Sequence, residues 1–160
     1  MNTIEIGYLA DHTDVITTLA EWFQSEWHEY YAMRSLADIA NDFYTEVNRR
    51  YIPVRLVAFL GGELVGTIVL REKILEEHPE YQPGLGGLLV AKPHRKCGIG
   101  TELVHAGMSL AQEIGYTEIY TITNVAGGIL ERLHWDKIGS FSNHGEQVTL
   151  YKYTSKVKTQ

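Results

Sequence analysis

Apolar and polar residues alternate in TIEIGYL, from Thr3 to Leu9, which is the period-two pattern of a strand. The period then lengthens. In DHTDVITTLAEWFQSEWHEYY, residues Val15, Leu19, Trp22, Phe23 and Trp27 recur at helical spacing and predict a helix. A second helix is predicted over SLADIANDFYTEVNRR. There Ser35 and Asp38 stand in capping-box positions, while Leu36, Ile39, Phe43 and Val47 form one stripe. VRLVAFL and ELVGTIVLRE flank Gly61-Gly62, a strong hairpin signal. From Lys73 to Pro83 the chain is polar, holds two prolines and reads as a loop. GLGGLLVA follows as a short buried strand, whose glycines mark a bulge or a close backbone approach. From Gly98 to Gly115 a helix is predicted, with Ile99, Leu103, Val104, Met108, Leu110, Ala111 and Ile114 apolar. YTEIYTIT is a strand, Ala126 to Leu133 a short helix, and GSFSNHGEQVTLYKYT two strands around His144-Gly145.

This order of elements predicts a mixed α/β sheet with helices on its faces. The chain's 160 residues, 44% of them hydrophobic, suit one domain with one sizeable core. We assign residues 1–154 to it and treat 155–160 as a polar tail that frays. Cys97 is the single cysteine, so no intrachain disulfide is possible and a reducing compartment is favoured. The opening residues lack a basic segment followed by an apolar one, and no apolar run reaches membrane-spanning length. The expectation is a soluble cytoplasmic protein.

Net charge is −6, which argues against a general nucleic-acid binder. The imbalance is concentrated. Between Thr13 and Asn48 seven acids (Asp14, Glu21, Glu26, Glu29, Asp38, Asp42, Glu46) face one base, Arg34. The rest of the chain is neutral. These residues form either solvated helix faces or a field that attracts a cationic substrate.

Chemistry concentrates in HRKCGIGTELV, His94 to Val104. Gly98-x-Gly100 opening a helix exposes backbone N–H groups that have no intrahelical partner, and glycine lets an anion approach closely. Arg95 and Lys96 add cationic donors, and a pyrophosphate matches the size of the site. Two nucleotide motifs fail here. The Walker pattern lacks its Gly-Lys-Ser/Thr, and the dinucleotide fingerprint meets Leu103 where a third small residue is needed.

GLLVAKPHRKCGIGTELV resembles the acetyl-CoA signature of the GNAT N-acetyltransferase superfamily. Arg95, Gly98 and Gly100 fill its diagnostic positions, with Leu88, Val90 and Pro93 in supporting ones. The resemblance extends to the element order over nearly the whole chain. It implies a mostly antiparallel sheet splayed between its fourth and fifth strands. It implies acetyl-CoA as co-substrate, with Arg95, Lys96, Cys97, Gly98, Ile99, Gly100 and Thr101 around the pyrophosphate. Leu88, Leu89 and Val90 would pair with the pantetheine arm, and the N–H of Leu89 or Val90 would serve as oxyanion donor. An amine would attack directly, so Cys97 has no required role, and no metal is implied.

Two departures from the family pattern matter. The family's Asn-x-x-Ala and following tyrosine correspond to TNVAGGILERLHW, where Leu130 stands on the tyrosine. Either Thr123 or, with one residue of slip, Asn124 takes the asparagine position that touches the coenzyme. Tyr120 or His134 would then be substitute proton donors. Second, PGLGGLLV carries no acid where many relatives place a glutamate base. Glu26, His28 and Glu29 near the end of the first helix are the candidates. Histidine is the residue type suited to proton transfer near neutrality, and His78 and Glu80 come after these. Trp22, Trp27, Tyr30 and Tyr31 could wall a cation. The expected acceptor is a small-molecule or peptide amine of cationic character; polyamine, aminoglycoside and peptide α-amine all stay open. So do a silent acyl-CoA-binding module, a nucleotide-binding domain and a homodimer paired through the last two strands.

Overall fold

The computed structural model of the chain describes residues 3–124 and 126–155; the polar tail beyond Ser155 lies outside them. Strand β1 (Ile4–Tyr8) leads through two short turns into helix α1 (Ile16–Glu26). Ile16, Leu19, Ala20 and Phe23 are buried along α1, the i, i+3, i+4, i+7 stripe of a half-buried helix. The helix is shorter than its pattern suggests. It stops at Glu26, with Trp27 as C-cap, so His28, Glu29, Tyr30 and Tyr31 lie in a turn-rich connector. Trp27 still packs on Phe23, ring centroids 4.9 Å apart, which accounts for its helical spacing without helical backbone.

Helix α2 (Leu36–Tyr44) begins as expected: Ser35 Oγ accepts from the Asp38 N–H, and Asp38 accepts from the Ser35 N–H. Ile39 and Phe43 bury its stripe, but Leu36 is 40% exposed and Val47 lies past the helix end.

The hairpin is β2 (Val54–Leu60) and β3 (Glu63–Arg71). After the loop come β4 (Gly84–Val90), α3 (Ile99–Ile114), β5 (Glu118–Thr123), α4 (Gly127–Arg132), β6 (Asp136–Asn143) and β7 (Glu146–Thr154). β6 starts three residues before the predicted strand. The polar loop also tucks Ile74 and Leu75 into the interior, where they pack with Tyr120, Val148 and Leu150.

All seven strands share one sheet, in the order β1-β2-β3-β4-β5-β7-β6. Every neighbouring pair is antiparallel except β4 with β5. On one face α3 and α4 cover a core that includes Leu56, Leu85, Leu103 and Leu130. On the other, α1 and α2 cover Leu9, Leu19, Phe23, Val57 and Leu89.

Two irregularities shape the centre of the sheet. β4 and β5 pair only at Gly84–Tyr120 and Leu85–Thr121, and beyond Leu85 the two strands separate. Thr121 Oγ1 marks the fork by donating to the Leu85 carbonyl at 2.7 Å. Within β4 the register against β3 slips between the Thr67–Leu89 and Val69–Gly86 pairs. Gly87 supplies the bulge with φ +56°, a conformation that costs an L side chain about 1–2 kcal/mol.

Candidate active site

The fork opens toward the C-terminal end of β4, where the chain enters the glycine loop. Ala91 N–H bonds the Val65 carbonyl at 2.9 Å. Main-chain groups alternate in direction along a strand. Leu89 therefore points its N–H at β3, while Val90, and Leu88 two residues back, point theirs into the gap. Of the pair expected to polarise a thioester carbonyl, alternation leaves Val90.

Lys96 (φ +64°) and Gly98 (φ +85°) are both left-handed around Cys97, which gathers successive N–H groups into a concave anion cradle. Glu102 N–H makes the first bond of α3, to the Gly98 carbonyl. The N–H groups of Ile99, Gly100 and Thr101 ahead of it thus lack a helical acceptor. Among the described residues, those of Lys96, Cys97 and Gly98 reach no main-chain carbonyl either. Arg95 N–H, by contrast, is bonded to the Lys92 carbonyl at 3.3 Å, which narrows the donor set to residues 96–101. Cys97 is exposed, its Sγ 3.5 Å from the Arg95 carbonyl.

Arg95 and Glu26, assigned separate tasks from the sequence, hold each other. Arg95 Nη2 donates to Glu26 Oε1 at 2.9 Å, and Arg95 Nε donates to the Val90 carbonyl at 2.8 Å. One guanidinium thereby ties the end of α1 to the end of β4 and fixes a carboxylate at the mouth of the gap. Arg95→Ala is expected to weaken coenzyme A binding by ~1–3 kcal/mol, more at low salt. Calorimetry at two ionic strengths checks this, and unchanged affinity would confine Arg95 to the Glu26 bridge.

The other expected residues are dispersed. His28 and Glu29 are exposed in the connector. His78 pairs with Glu80 at 3.3 Å and meets Phe141 edge-on. Tyr120 is registered opposite Gly84, at the closed end of the fork. Its hydroxyl lies 3.5 Å from Glu118. His134 is exposed just past α4. Thr123 Oγ1 accepts from Ala126 N–H at 2.9 Å in the turn that enters α4, and Asn124 beside it is exposed. Leu130 is 3% exposed and fills the core beneath α3.

Three residues escaped the sequence reading. Tyr151, one strand beyond Thr121, has a buried ring whose hydroxyl lies 2.8 Å from the point where a Cβ on Gly127 would stand. Its only sequence signal was alternation in TLYKY. Arg55 is 3% exposed under α1 and α2, between the Phe23 and Phe43 rings (5.1 and 4.8 Å). It donates to Glu46 and to Thr67. Arg71 lies near it on the same face. Nothing in the pattern of β-branched residues foretold two arginines there.

The acidic segment is also less open than its composition implied. Glu26 pairs with Arg95, Asp42 with Arg34 and Glu46 with Arg55, while Asp38 caps α2. A surface cleft of about 520 Å³ lies among Tyr51, Glu72, Gln82, Tyr116 and Glu118. It adjoins the starts of β4 and β5, at the far end from the glycine loop. Among the described residues no group of His, Cys, Asp and Glu is arranged to hold a metal, and no helix is long and apolar enough to cross a membrane.

A family model described as the Acetyltransferase (GNAT) family matches residues 16–134, well over half of the chain. The protein belongs to that family of acetyl-CoA-dependent N-acetyltransferases. Solved structures share the fold at low identity. An aminoglycoside 6'-N-acetyltransferase complexed with coenzyme A is 17% identical, with TM-score 0.76 over 98% of this chain and 99% of its own. An N-acetyltransferase from Staphylococcus aureus Mu50 is 16% identical, with TM-score 0.75 over 95% and 98%. A ribosomal L7/L12 α-N-protein acetyltransferase in complex with coenzyme A is 14% identical, with TM-score 0.71 over 95% and 94%. No protein of curated function matches the chain by sequence.

Proposed function

We propose that this protein transfers the acetyl group of acetyl-CoA to a primary amine by direct attack. The supporting observation is the fork: β4 leaves β5 after Leu85, and the donors of residues 96–101 converge at its open end. Open space at the loop supports coenzyme A as the donor. No atom stands within 4 Å of where a Gly98 Cβ would lie, so a diphosphate can approach the main chain there. Bound acetyl-CoA supplies an acetyl group activated as a thioester.

The chain's own residues do the rest. The 96–101 amides fix the diphosphate, and the Leu88 and Val90 main chain aligns the arm. Val90 N–H donates to the carbonyl oxygen as charge develops on it. Positioning supplies most of the acceleration. Glu26, held at the mouth by Arg95, accepts the ammonium proton of the acceptor. On the α4 side Tyr151 gives a proton to the departing thiolate, in place of the tyrosine that Leu130 replaces. A thiol of pKa about 8.5 is already a tolerable leaving group. Tyr151→Phe is therefore expected to lower kcat about 10²-fold with coenzyme affinity unchanged; equal turnover would remove Tyr151 from the chemistry.

Thiol release from acetyl-CoA across a panel of amines tests the function. The burial of Leu130 favours one other reading, a silent acyl-CoA-binding module. Tight coenzyme A binding with no turnover of any amine would select it.

A further inference from the structure

Arg71 ends β3, and its side chain lies back over β4. Its Nη2 is 2.9 Å from where a Cβ on Gly86 would stand. Arg55 Nη2 is 3.1 Å from the corresponding point on Gly87. The two missing side chains of GLGGLL thus make room for two guanidinium groups on the α1/α2 face of the fork.

Their circumstances differ. Arg55 is matched by Glu46, Thr67 and two aromatic rings. Arg71 Nε is sealed from solvent and has no hydrogen-bond partner. Among the described residues no hydrogen bond or ion pair to the Arg71 side chain is formed. Burial, followed by repulsion from Arg55, pulls its guanidinium below the ordinary arginine value, with Glu46 opposing them. Two cations against one carboxylate leave this wall with a net positive charge. An unpaired charge in such a place is costly to the fold. The site lies beneath the connector that carries Tyr30 and Tyr31. His144, in the β6–β7 turn, reaches over to Tyr30, with ring centroids 6.0 Å apart.

We propose that Arg71 binds an acidic group of the acceptor, so that the substrate is a carboxylate-bearing primary amine rather than a polycation. The inference rests on the acetyl-transfer reading and names its substrate class. Gly86, Leu88 and Val90 belong to the same strand, and the Gly87 bulge between them draws the Arg71 wall toward the gap-facing end of β4. The carboxylate completes the donors of Arg71 and offsets the excess positive charge, and its attached amine is delivered to the gap beside Glu26.

Matched amines test this: leucine against isoamylamine and β-alanine against ethylamine, with cadaverine as a dication. The wild type should favour the carboxylate members in kcat/KM. Arg71→Gln should raise their KM about ten- to hundredfold more than that of their decarboxylated twins, and Arg71→Lys should recover part of the loss. The thermal midpoint of ligand-free Arg71→Gln should be no lower than that of the wild type, because an unpaired buried cation has gone. A preference for cadaverine, an equal loss on both members of a pair, or a lowered midpoint overturns the proposal. Calorimetric titration of leucine and β-alanine into enzyme loaded with coenzyme A separates this inference from the reading beneath it. Binding that needs Arg71 without thiol release from any amine keeps the carboxylate site and removes acetyl transfer. Turnover of plain amines with no carboxylate preference does the reverse.

Discussion

Gly98→Val is expected to weaken coenzyme A binding about 100-fold or more, while Gly98→Asn keeps most of the affinity. The cause is conformational. Gly98 caps α3 at φ +85°, ψ 0°, and no atom stands within 4 Å of an added Cβ. A valine therefore meets no clash. It meets a left-handed backbone that costs L residues about 1–2 kcal/mol, and a β-branched residue more. Relieving that strain rotates the Gly98–Ile99 peptide and turns aside donors that must converge on one anion. Each hydrogen bond to a charged group contributes about 1.5–3 kcal/mol, so losing two suffices for the predicted factor. Asparagine tolerates the left-handed region, which makes it the discriminating control. Gly100 is a different case: its added Cβ would touch Ile129 at 3.4 Å and Val90 at 4.0 Å, a matter of space. Isothermal titration of coenzyme A into both Gly98 variants decides, and wild-type affinity in the valine variant would remove the cradle from the site.

Leu103→Ala should cost about 2–5 kcal/mol of folding stability. Leu103 is 0% exposed in the core between α3 and the sheet. Its Cδ1 already lies 2.8 Å from where a Gly66 Cβ would stand, so β3 approaches the helix without an intervening side chain. Removing three carbons there leaves a void that neither the strand nor α3 can close independently. For a domain stable by about 5–15 kcal/mol the loss is severe. Urea denaturation reads it directly, and a loss below about 1 kcal/mol would mean that the core rearranges freely.

The sequence declared those features whose cause is local. Ser35 and Asp38 announced a helix start, Gly61-Gly62 a hairpin, and Gly98 and Gly100 a cradle, because each effect spans only a few residues. It was less informative wherever two distant segments decide the outcome. Trp27 kept helical spacing and its N–H still bonds the Phe23 carbonyl, yet α1 ends at Glu26 because the backbone turns away at Trp27, with φ −117° and ψ 53°. The acid count of the segment from Thr13 to Asn48 suggested an open negative field, but Arg55 and Arg95, from outside it, pair with Glu46 and Glu26. Tyr120 was a reasonable stand-in by residue type, and strand register places it at the closed end of the fork. Arg71 stood inside an ordinary strand, and its meaning depends on glycines fifteen and sixteen positions later.

The joint at Leu85 and Thr121 has a mechanical consequence. The sheet is two plates, β1 to β4 and β5 to β7 to β6, sharing two rungs and one threonine hydroxyl. On the proposed function, coenzyme lodged between them would take the place of the missing rungs, so how tightly it is gripped and how rigidly the plates are aligned would become one quantity.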